Sequence, residues 1–231
     1  MQLFYYTNLE CGLEVGQRYT LCDELSHHCI VVLRRSKGDV VMVCNGKGWL
    51  YSSRIEVASK KAAELVIEEV NPNFGCEQKR EIIVGLAPTK NMDRVEWAVE
   101  KMVEIGATKI VPIISMHSER RTIKIDRLRR IALSAAQQSL KGFLPTIEEA
   151  QSFKTFVENN HGGYIAHCNE GQKTRIEAGA DKYTVLIGPE GDFSLQEVDL
   201  ALKCGYKEIT LGSARLRTET AAVCAAYMCT L

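Results

Sequence analysis

The sequence has no apolar stretch long enough to cross a bilayer, which takes about 18 consecutive apolar residues. Its first residues, Met1–Thr7, have neither the basic start nor the long apolar stretch of a secretory signal. No C-x-x-C pair occurs among its nine cysteines, and an odd number of cysteines does not suit a disulfide scaffold. We therefore expect a cytoplasmic protein without membrane spans, with reduced cysteines, and with apolar surroundings for Cys29, Cys168, Cys224 and Cys229.

The common signatures of nucleotide and hydrolase chemistry are also missing. There is no G-x-x-x-x-G-K-[ST] phosphate loop, no G-x-G-x-x-G after a strand and no G-x-S-x-G elbow. The five histidines and nine cysteines show no metal-ligand spacing, so we expect no metal. The 29 basic and 29 acidic residues cancel, which argues against a polyanion binder held by bulk charge alone. Nucleoside triphosphate hydrolysis, hydride transfer and triad hydrolysis all lose support.

The first seventy of the 231 residues have the pattern of a small β domain. Short runs rich in β-branched and aromatic residues predict strands at Leu3–Tyr6, Ile30–Leu33, Val40–Cys44, Trp49–Val57 and Ala63–Val70. An Asn45-Gly46 pair predicts a hairpin between two of them, and several short strands with turns are typical of a small barrel. The turn-rich segment after residue 70 resembles a linker, so we predict domains of 1–72 and 73–231.

After the linker the pattern changes to alternating strands and helices. Strands are predicted at Ile82–Ala87, Lys109–Ile114, Gly163–His167, Thr184–Ile187 and Glu208–Leu211. Helices are predicted at about 93–105, 123–141, 194–205 and 220–231, and the third opens on a capping box from Ser194 to Glu197. This alternation predicts an α/β fold with a parallel sheet that is covered on both faces.

Two glycine-containing loops stand out in the second domain. One runs from Leu186 to Ser194 and the other from Leu211 to Thr220, each at the carboxyl end of a predicted strand. Ligands of open α/β sheets bind outside the carboxyl ends of the strands, and glycines let the backbone approach a ligand. Either loop alone is better explained as an ordinary turn. Together, at adjacent strand ends, they predict a site for a nucleoside-like ligand.

The last predicted helix is apolar on every side from Ala221 to Cys229. A helix of this kind is buried all round. Both a subunit interface and a core position within one chain would bury it.

Basic residues are clustered although the total charge is zero. The segment from His117 to Arg130 contains six basic and two acidic residues, and Arg34-Arg35-Ser36-Lys37 is a second basic cluster. Such clusters can position phosphates, while a solvated helix face is the ordinary explanation of the first cluster in isolation.

The ordered set of motifs resembles the SPOUT-class methyltransferases of the RsmE type, which methylate N3 of a uridine in 16S ribosomal RNA. The resemblance rests on Gly188-Pro189-Glu190-Gly191-Asp192-Phe193-Ser194, Leu211-Gly212 and Leu216-Arg217-Thr218-Glu219-Thr220-Ala221. Upstream, His28–Arg34, Lys90, Asp93–Trp97, Glu100-Lys101, Glu119-Arg120 and Ala136–Ser139 also fit. Two positions depart from the family pattern: Asp192 stands where G-P-E-G-G-F has its last glycine, and Ser213-Ala214-Arg215 replaces the P-R-x of L-G-P-R-x-L-R.

The resemblance implies a PUA-like, RNA-binding β-barrel followed by a trefoil-knotted domain that binds S-adenosylmethionine. It also implies a homodimer, formed through the knotted domain and the apolar C-terminal helix, that acts on 16S rRNA of the small ribosomal subunit. The cofactor would be held by His167, Leu186, Ile187, Gly188, Pro189, Glu190, Gly191, Leu211, Gly212, Leu216, Arg217 and Thr218. The RNA would be held by Arg34, Arg35, Lys37, Lys90, Arg94, Arg120 and Arg121.

Methyl transfer to uridine N3 has one difficulty, which is the proton that N3 carries at neutral pH. Either a base removes it, or fixed positive charge stabilises the developing anion. We expect Arg217 to supply that charge, with Glu219 holding Arg217 in place or acting on the proton. An Arg–Glu pair that only fixes the loop is the alternative.

Three other functions stay open at this point. The chain could be a non-catalytic RNA-binding or ribosome-assembly protein, whose cofactor pocket serves only the structure. It could be a SPOUT methyltransferase that acts on another RNA position. It could also be an α/β enzyme acting on a small nucleotide, with the barrel merely appended.

Overall fold

The computed structural model describes residues 3–75 and 80–231, which divide into two compact units. The smaller unit is Met1–Glu77 with Ala136–Leu144, and the larger unit is Gln78–Ala135 with Pro145–Leu231. Nothing in the sequence pattern indicates that the 136–144 segment packs with the smaller unit. The domain boundary at 72/73 stays a prediction, and Cys76 lies outside the described residues.

The smaller unit is built on one mixed sheet. Its elements are β1 (Leu3–Tyr5), β2 (Arg18–Thr20), α1 (Asp23–His27), a π-helical turn (His28–Val32), β3 (Val40–Cys44), β4 (Leu50–Val57) and β5 (Glu64–Asn71). The strand order is β1-β3-β4-β5-β2, in which β1 runs parallel to β3 and the other pairs are antiparallel. The hairpin predicted from Asn45-Gly46 is confirmed, because it joins the antiparallel strands β3 and β4. Tyr51, Ile55 and Leu65 are fully buried in the core of this unit.

The predicted strand Ile30–Leu33 is wrong. The π-helical turn covers most of this segment and continues directly from α1. Its β-branched residues suggested a strand, but Leu25, Cys29 and Leu33 all face the core and are spaced four residues apart, as on a helix. The basic cluster at 34–37 therefore follows a helical turn.

The 136–144 segment is joined to the smaller unit through its backbone. The Gly48 N–H donates to the Gly142 carbonyl at 2.9 Å, and the Leu144 N–H donates to the Gly46 carbonyl at 3.1 Å. A Cβ on Gly142 would lie 1.7 Å from the Phe74 carbonyl oxygen, so only glycine fits this contact.

The larger unit has the predicted α/β architecture. Its elements are β6 (Glu81–Leu86), α2 (Met92–Ile105), β7 (Lys109–Ile114), α3 (Ile125–Gln138, whose last turn belongs to the smaller unit), β8 (Thr146–Ile147), β9 (Gln151–Ser152), α4 (Phe153–Asn159), β10 (Gly163–Ala166), β11 (Lys182–Ile187), α5 (Leu195–Lys203), β12 (Tyr206–Ile209) and α6 (Thr218–Met228). Within the described residues the strand order is β12-β10-β11-β6-β7-β8, with β9 beside β7, and every pair is parallel. The predicted parallel sheet is confirmed.

Local sequence signals explain where most of these elements begin and end. The predicted capping box is present at the start of α5, where Ser194 and Glu197 exchange side-chain and backbone hydrogen bonds. At α2, the Asn91 side chain accepts the Asp93 N–H, and the helix ends at Gly106, whose φ is +121°. Two strands of two residues, β8 and β9, and the seven-residue α4 were missed because they are too short to show a period.

Within the single chain, helix α6 is fully buried on one side, so a core position inside the chain does not bury it all round, and burial by a subunit interface stays a prediction. Ala222, Ala225 and Ala226 are fully buried, and the helix packs on α2, β6 and β11. Tyr227 is 55% exposed on the same helix, so an aromatic side chain on α6 faces solvent in the single chain. No helix in the described ranges is long and apolar enough to span a membrane.

Candidate active site

A cavity of about 650 Å³ opens at the carboxyl ends of three strands of the larger sheet. Ala166, Ile187 and Ile209, which are the last residues of β10, β11 and β12, all line it. Because parallel strands end at the same edge of a sheet, the loops that follow these strands form the cavity walls. Small-molecule sites have volumes of about 300–1,000 Å³, so this cavity is large enough for a ligand of nucleoside size.

Most of the residues that the resemblance implies for the cofactor lie on this cavity. They are His167, Ile187, Gly188, Pro189, Glu190, Leu211, Gly212, Leu216, Arg217 and Thr218, and Glu219 joins them. Two residues of the expected set do not line the cavity. Leu186 is fully buried in the core of the sheet, and Gly191 lies against the side chain of His117 instead.

The two glycine loops are not at neighbouring strand ends, because β10 lies between β11 and β12. The loop after β10 therefore joins the cavity wall and adds Cys168 and Lys173, which sequence patterns did not indicate. Cys168 is exposed there, contrary to the expected apolar surroundings. The order of parallel strands depends on crossovers that local sequence does not encode, so apart from His167, which the resemblance implies, nothing indicated this third loop.

Hydrogen bonds from other elements hold the first glycine loop. The buried Thr218 hydroxyl, at the start of α6, donates to the Gly188 carbonyl at 3.0 Å. The Lys90 N–H donates to Oε1 of Glu190 at 3.1 Å, which ties this loop to the segment after β6. In the second loop, Gly212 has a φ of +128°, and a Cβ built there would meet no atom within 4 Å. The backbone of Gly212 is therefore open to close approach by a ligand.

His167 presents a buried acceptor at the cavity. Its Nε2 lies 2.8 Å from Oε1 of Glu208, and its side chain is only 1% exposed. Burial lowers the pKa of His167 and the Lys173 ammonium acts in the same direction, against the opposing effect of Glu208, so the ring is neutral at pH 7. With Nε2–H donating to the carboxylate, Nδ1 is a bare acceptor, and it has no hydrogen-bond partner among the described residues.

Glu219 and Arg94 form a second polar group on the wall. The Glu219 side chain is 12% exposed, and its Oε1 lies 3.7 Å from Nε of Arg94. Its Oε2 is buried and has no hydrogen-bond partner in the described part of the chain. The charge partner of Glu219 is therefore Arg94, whereas the sequence-based hypothesis paired Glu219 with Arg217. Side chains two positions apart at a helix start point in different directions, which explains the difference.

The residues expected to bind RNA fall into separate groups. Arg34, Arg35 and Lys37 are exposed in the smaller unit. In the larger unit, Arg120 donates from Nη2 to the Lys90 carbonyl at 3.2 Å, and this places it beside the segment that holds the first glycine loop. The neighbouring Arg121 is exposed, whereas Arg94 is on the cavity wall.

The sequence of this chain matches two family models in order. Residues 21–68 match an RNA methyltransferase PUA domain, and residues 76–229 match an RNA methyltransferase domain. The chain belongs to the RNA methyltransferase family. Its small N-terminal sheet is the PUA-like domain of this family, and its parallel α/β sheet is the methyltransferase domain.

Three relatives of this methyltransferase align with 78% to 98% of the chain. It is 31% identical to ribosomal RNA small subunit methyltransferase E of Mesomycoplasma hyopneumoniae, over 78% of this chain and 81% of the relative. A solved probable rRNA methyltransferase from Porphyromonas gingivalis is 36% identical, with a TM-score of 0.85 over 98% of this chain and 95% of that one. A ribosomal RNA small subunit methyltransferase E from Neisseria gonorrhoeae, solved bound to S-adenosyl methionine, is 28% identical, with a TM-score of 0.85 and the same two coverages.

The geometry of the methyltransferase site suits positioning chemistry. The described residues contain no group of three or more His, Cys, Asp or Glu side chains that could hold a metal ion. The cavity wall carries four cationic side chains, Arg94, Lys173, Arg215 and Arg217, and three carboxylates, Glu190, Asp192 and Glu219. A site of this kind can hold a polar ligand and stabilise charge that develops on a bound partner.

Proposed function

We propose that this methyltransferase transfers the methyl group of S-adenosylmethionine to N3 of a uridine in 16S rRNA of the small ribosomal subunit. The observation that carries the proposal is the cavity at the ends of β10, β11 and β12, which brings Arg217 and Glu219 onto the wall formed by the two glycine loops. The relatives named ribosomal RNA small subunit methyltransferase E support the choice of substrate.

The residues of this chain fit the cofactor. The buried Nδ1 of His167 is an unsatisfied acceptor, which an amino or hydroxyl group of the ligand can complete. Gly212 leaves open space where a side chain would stand, so its backbone can lie against a base or ribose. The other loop residues on the cavity, from Ile187 to Glu190 and from Leu216 to Thr218, would complete the binding site. When bound, S-adenosylmethionine supplies an electrophilic methyl group on a sulfonium sulfur.

The chain must then deal with the N3 proton of the uridine. As the N–C bond forms and the C–S bond breaks, the N3 proton has to leave, and negative charge spreads over N3 and the neighbouring carbonyl oxygens. We assign Arg217 the role of stabilising that charge, because it lines the cavity and is exposed there. Glu219, whose Oε2 is unpartnered, is assigned to receive the proton.

Cofactor binding gives a first test of this function. S-adenosylhomocysteine at 100 times its dissociation constant adds about 2.7 kcal/mol to the free energy of unfolding. For a chain of this size that raises the melting temperature by about 5 to 10 °C, which scanning calorimetry measures directly. Adenosine alone and homocysteine alone are the matched ligand controls. No shift at millimolar S-adenosylhomocysteine would contradict the cofactor assignment.

We place one RNA contact of the larger unit at Arg120 and Arg121, beside the segment that holds the first glycine loop. Replacing both with glutamate is expected to weaken binding to small-subunit RNA, and to reduce the slope of log affinity against log salt by about one unit for each phosphate contact removed. Filter binding over a salt series measures both quantities. The double variant Lys203→Glu and Lys207→Glu is the matched control, and an equal loss in the control would contradict the placement.

The resemblance also supports proposals about the oligomeric state, the knot and the location of the protein in the cell. We propose a homodimer in which a second copy covers the exposed side of α6 around Tyr227, and sedimentation equilibrium measures the state directly. The two glycine loops would form the trefoil knot of this class. Because ribosomal RNA is the proposed substrate, we place the protein in the cytoplasm.

A further inference from the structure

The first glycine loop departs from the family pattern at Asp192, which stands where a glycine is common. The backbone there has a φ of +62°, and only Arg34 and Leu140 share a positive φ among the described non-glycine residues. The left-handed region costs most residues about 1–2 kcal/mol, although aspartate and asparagine tolerate it better. Asp192 therefore has a backbone conformation that glycine adopts readily, and it places a carboxylate there.

The added carboxylate joins two loops of the cavity wall. Its Oδ2 accepts the Cys168 N–H at 2.6 Å, from the loop after β10, and its Oδ1 accepts the Phe193 N–H at 2.8 Å within its own loop. A glycine at this position could make neither bond. Hydrogen bonds from a backbone N–H to a carboxylate are among the stronger ones in proteins, because the acceptor is ionised.

The same loop is held from its other side by His117. Nδ1 of His117 lies 2.9 Å from the Gly191 carbonyl oxygen and 3.1 Å from the Asp192 carbonyl oxygen. Both partners are acceptors, so Nδ1 carries the proton and donates to them. A Cβ on Gly191 would come within 3.0 Å of the His117 Cβ, so the two segments are in close contact. The backbone of Asp192 is thus fixed while its carboxylate reaches the loop after β10.

We infer that Asp192 is a positioning residue of the cofactor site: its carboxylate fixes the loop after β10 against the first glycine loop before the cofactor binds. The inference rests on the proposed function, since it assigns the cavity to S-adenosylmethionine. Cys168 and Asp192 both line the cavity, and Cys168 directly follows His167, whose bare Nδ1 is assigned to the ligand. Holding the Cys168 amide in place therefore also fixes the position of that acceptor. Fixing loops in advance improves affinity because less conformational entropy is lost on binding.

Two substitutions separate the carboxylate from the backbone conformation. Asp192→Gly accepts the positive φ without strain and removes both hydrogen bonds. Asp192→Asn also tolerates the positive φ, but it has only one acceptor oxygen, so one of the two backbone N–H groups would face its NH₂ group, donor against donor. Asp199→Asn, on an exposed position of α5, is the matched control.

The measurement is the dissociation constant for S-adenosylhomocysteine by isothermal titration calorimetry, with the melting temperature of each ligand-free variant. Both Asp192 variants are expected to bind about tenfold more weakly, which corresponds to about 1.4 kcal/mol. The ligand-free melting temperature of the glycine variant is expected to stay close to that of the unchanged chain, because this variant loses strain together with the bonds. Steady-state kinetics should show a higher KM for S-adenosylmethionine with kcat at saturation kept within about twofold.

Hydrogen exchange provides a readout that a general loss of stability would not move. Exchange of the Cys168 amide should be faster in the glycine variant without ligand, while amides in the core of β11 stay protected. Affinity unchanged in both variants would overturn the inference, and so would a loss confined to variants whose ligand-free melting temperature also falls. If the unchanged chain does not bind S-adenosylhomocysteine at all, the proposed function fails, and this outcome is distinct from a failure at Asp192.

Discussion

Replacing Arg217 with alanine is expected to lower kcat for methyl transfer by about 100- to 1,000-fold, the usual cost of removing one donor that stabilises developing negative charge. The affinity for S-adenosylhomocysteine should change much less than kcat. The reason is that the guanidinium acts on charge that exists only as the N3 proton leaves, and the ligand alone carries none of that charge.

Among the described residues, no hydrogen bond or ion pair of the Arg217 side chain would explain such a loss. Arg217 is the residue before α6, and it is exposed on the cavity wall. Its backbone carbonyl accepts the Ala221 N–H at 2.8 Å, a bond that alanine preserves.

Two controls for Arg217→Ala test separately whether the shape of the charged group and its position on the cavity matter. Arg217→Lys keeps a point charge without the planar fork and should retain part of the activity. Arg175→Ala removes an exposed arginine that does not line the cavity and should leave kcat unchanged. Single-turnover rates with bound S-adenosylmethionine measure the effect. Unchanged turnover in Arg217→Ala would contradict the assignment, and so would a loss explained entirely by weaker cofactor binding.

Glu219→Gln should lower kcat by about 100-fold or more, because general base catalysis contributes about 10²–10⁴-fold to such reactions. The amide has nearly the same shape, so the cavity is preserved while the proton acceptor is lost. The defect should shrink as the pH rises above neutrality, since a uridine that is already ionised no longer needs the base. Glu170→Gln, at an exposed position that does not line the cavity, is the matched control.

The ion pair with Arg94 offers an alternative role for Glu219, in which the carboxylate only orients that arginine. A double-mutant cycle with Arg94→Ala separates the two roles. If Glu219 acts only through Arg94, the double variant is no slower than the slower single variant, and raising the pH restores nothing. If Glu219 takes the proton, the pH-dependent recovery persists in the double variant, which contradicts the orienting role.

Local patterns predicted most of the larger unit. The continuous apolar run of β6, the capping box at Ser194 and the Gly106 stop of α2 are each determined by neighbouring residues, and all three were confirmed. The rule that ligands bind at the carboxyl ends of parallel strands predicted a site at the two glycine loops, and residues of both loops line the cavity.

The features that were missed depend on contacts between distant parts of the chain. The placement of β10 between β11 and β12 comes from strand order, and it brings Cys168 and Lys173 to the cavity without any local signal. The partner of Glu219 is Arg94, more than a hundred residues earlier in the chain. The segment after His28 is rich in β-branched residues, and this local pattern predicts a strand. The structure forms a helical turn instead, because that places Leu25 and Cys29 against the same core.

The methylation itself is tested most directly by incubating the chain with S-adenosylmethionine labelled on its methyl group and small ribosomal subunits that lack the modification. The RNA is then digested to nucleosides and separated by chromatography. We expect the label to migrate as N3-methyluridine, and to be lost when Arg217→Ala replaces the unchanged chain. Label at another nucleoside would contradict the N3 assignment, and RNA retained without label would identify a binding protein instead of an enzyme.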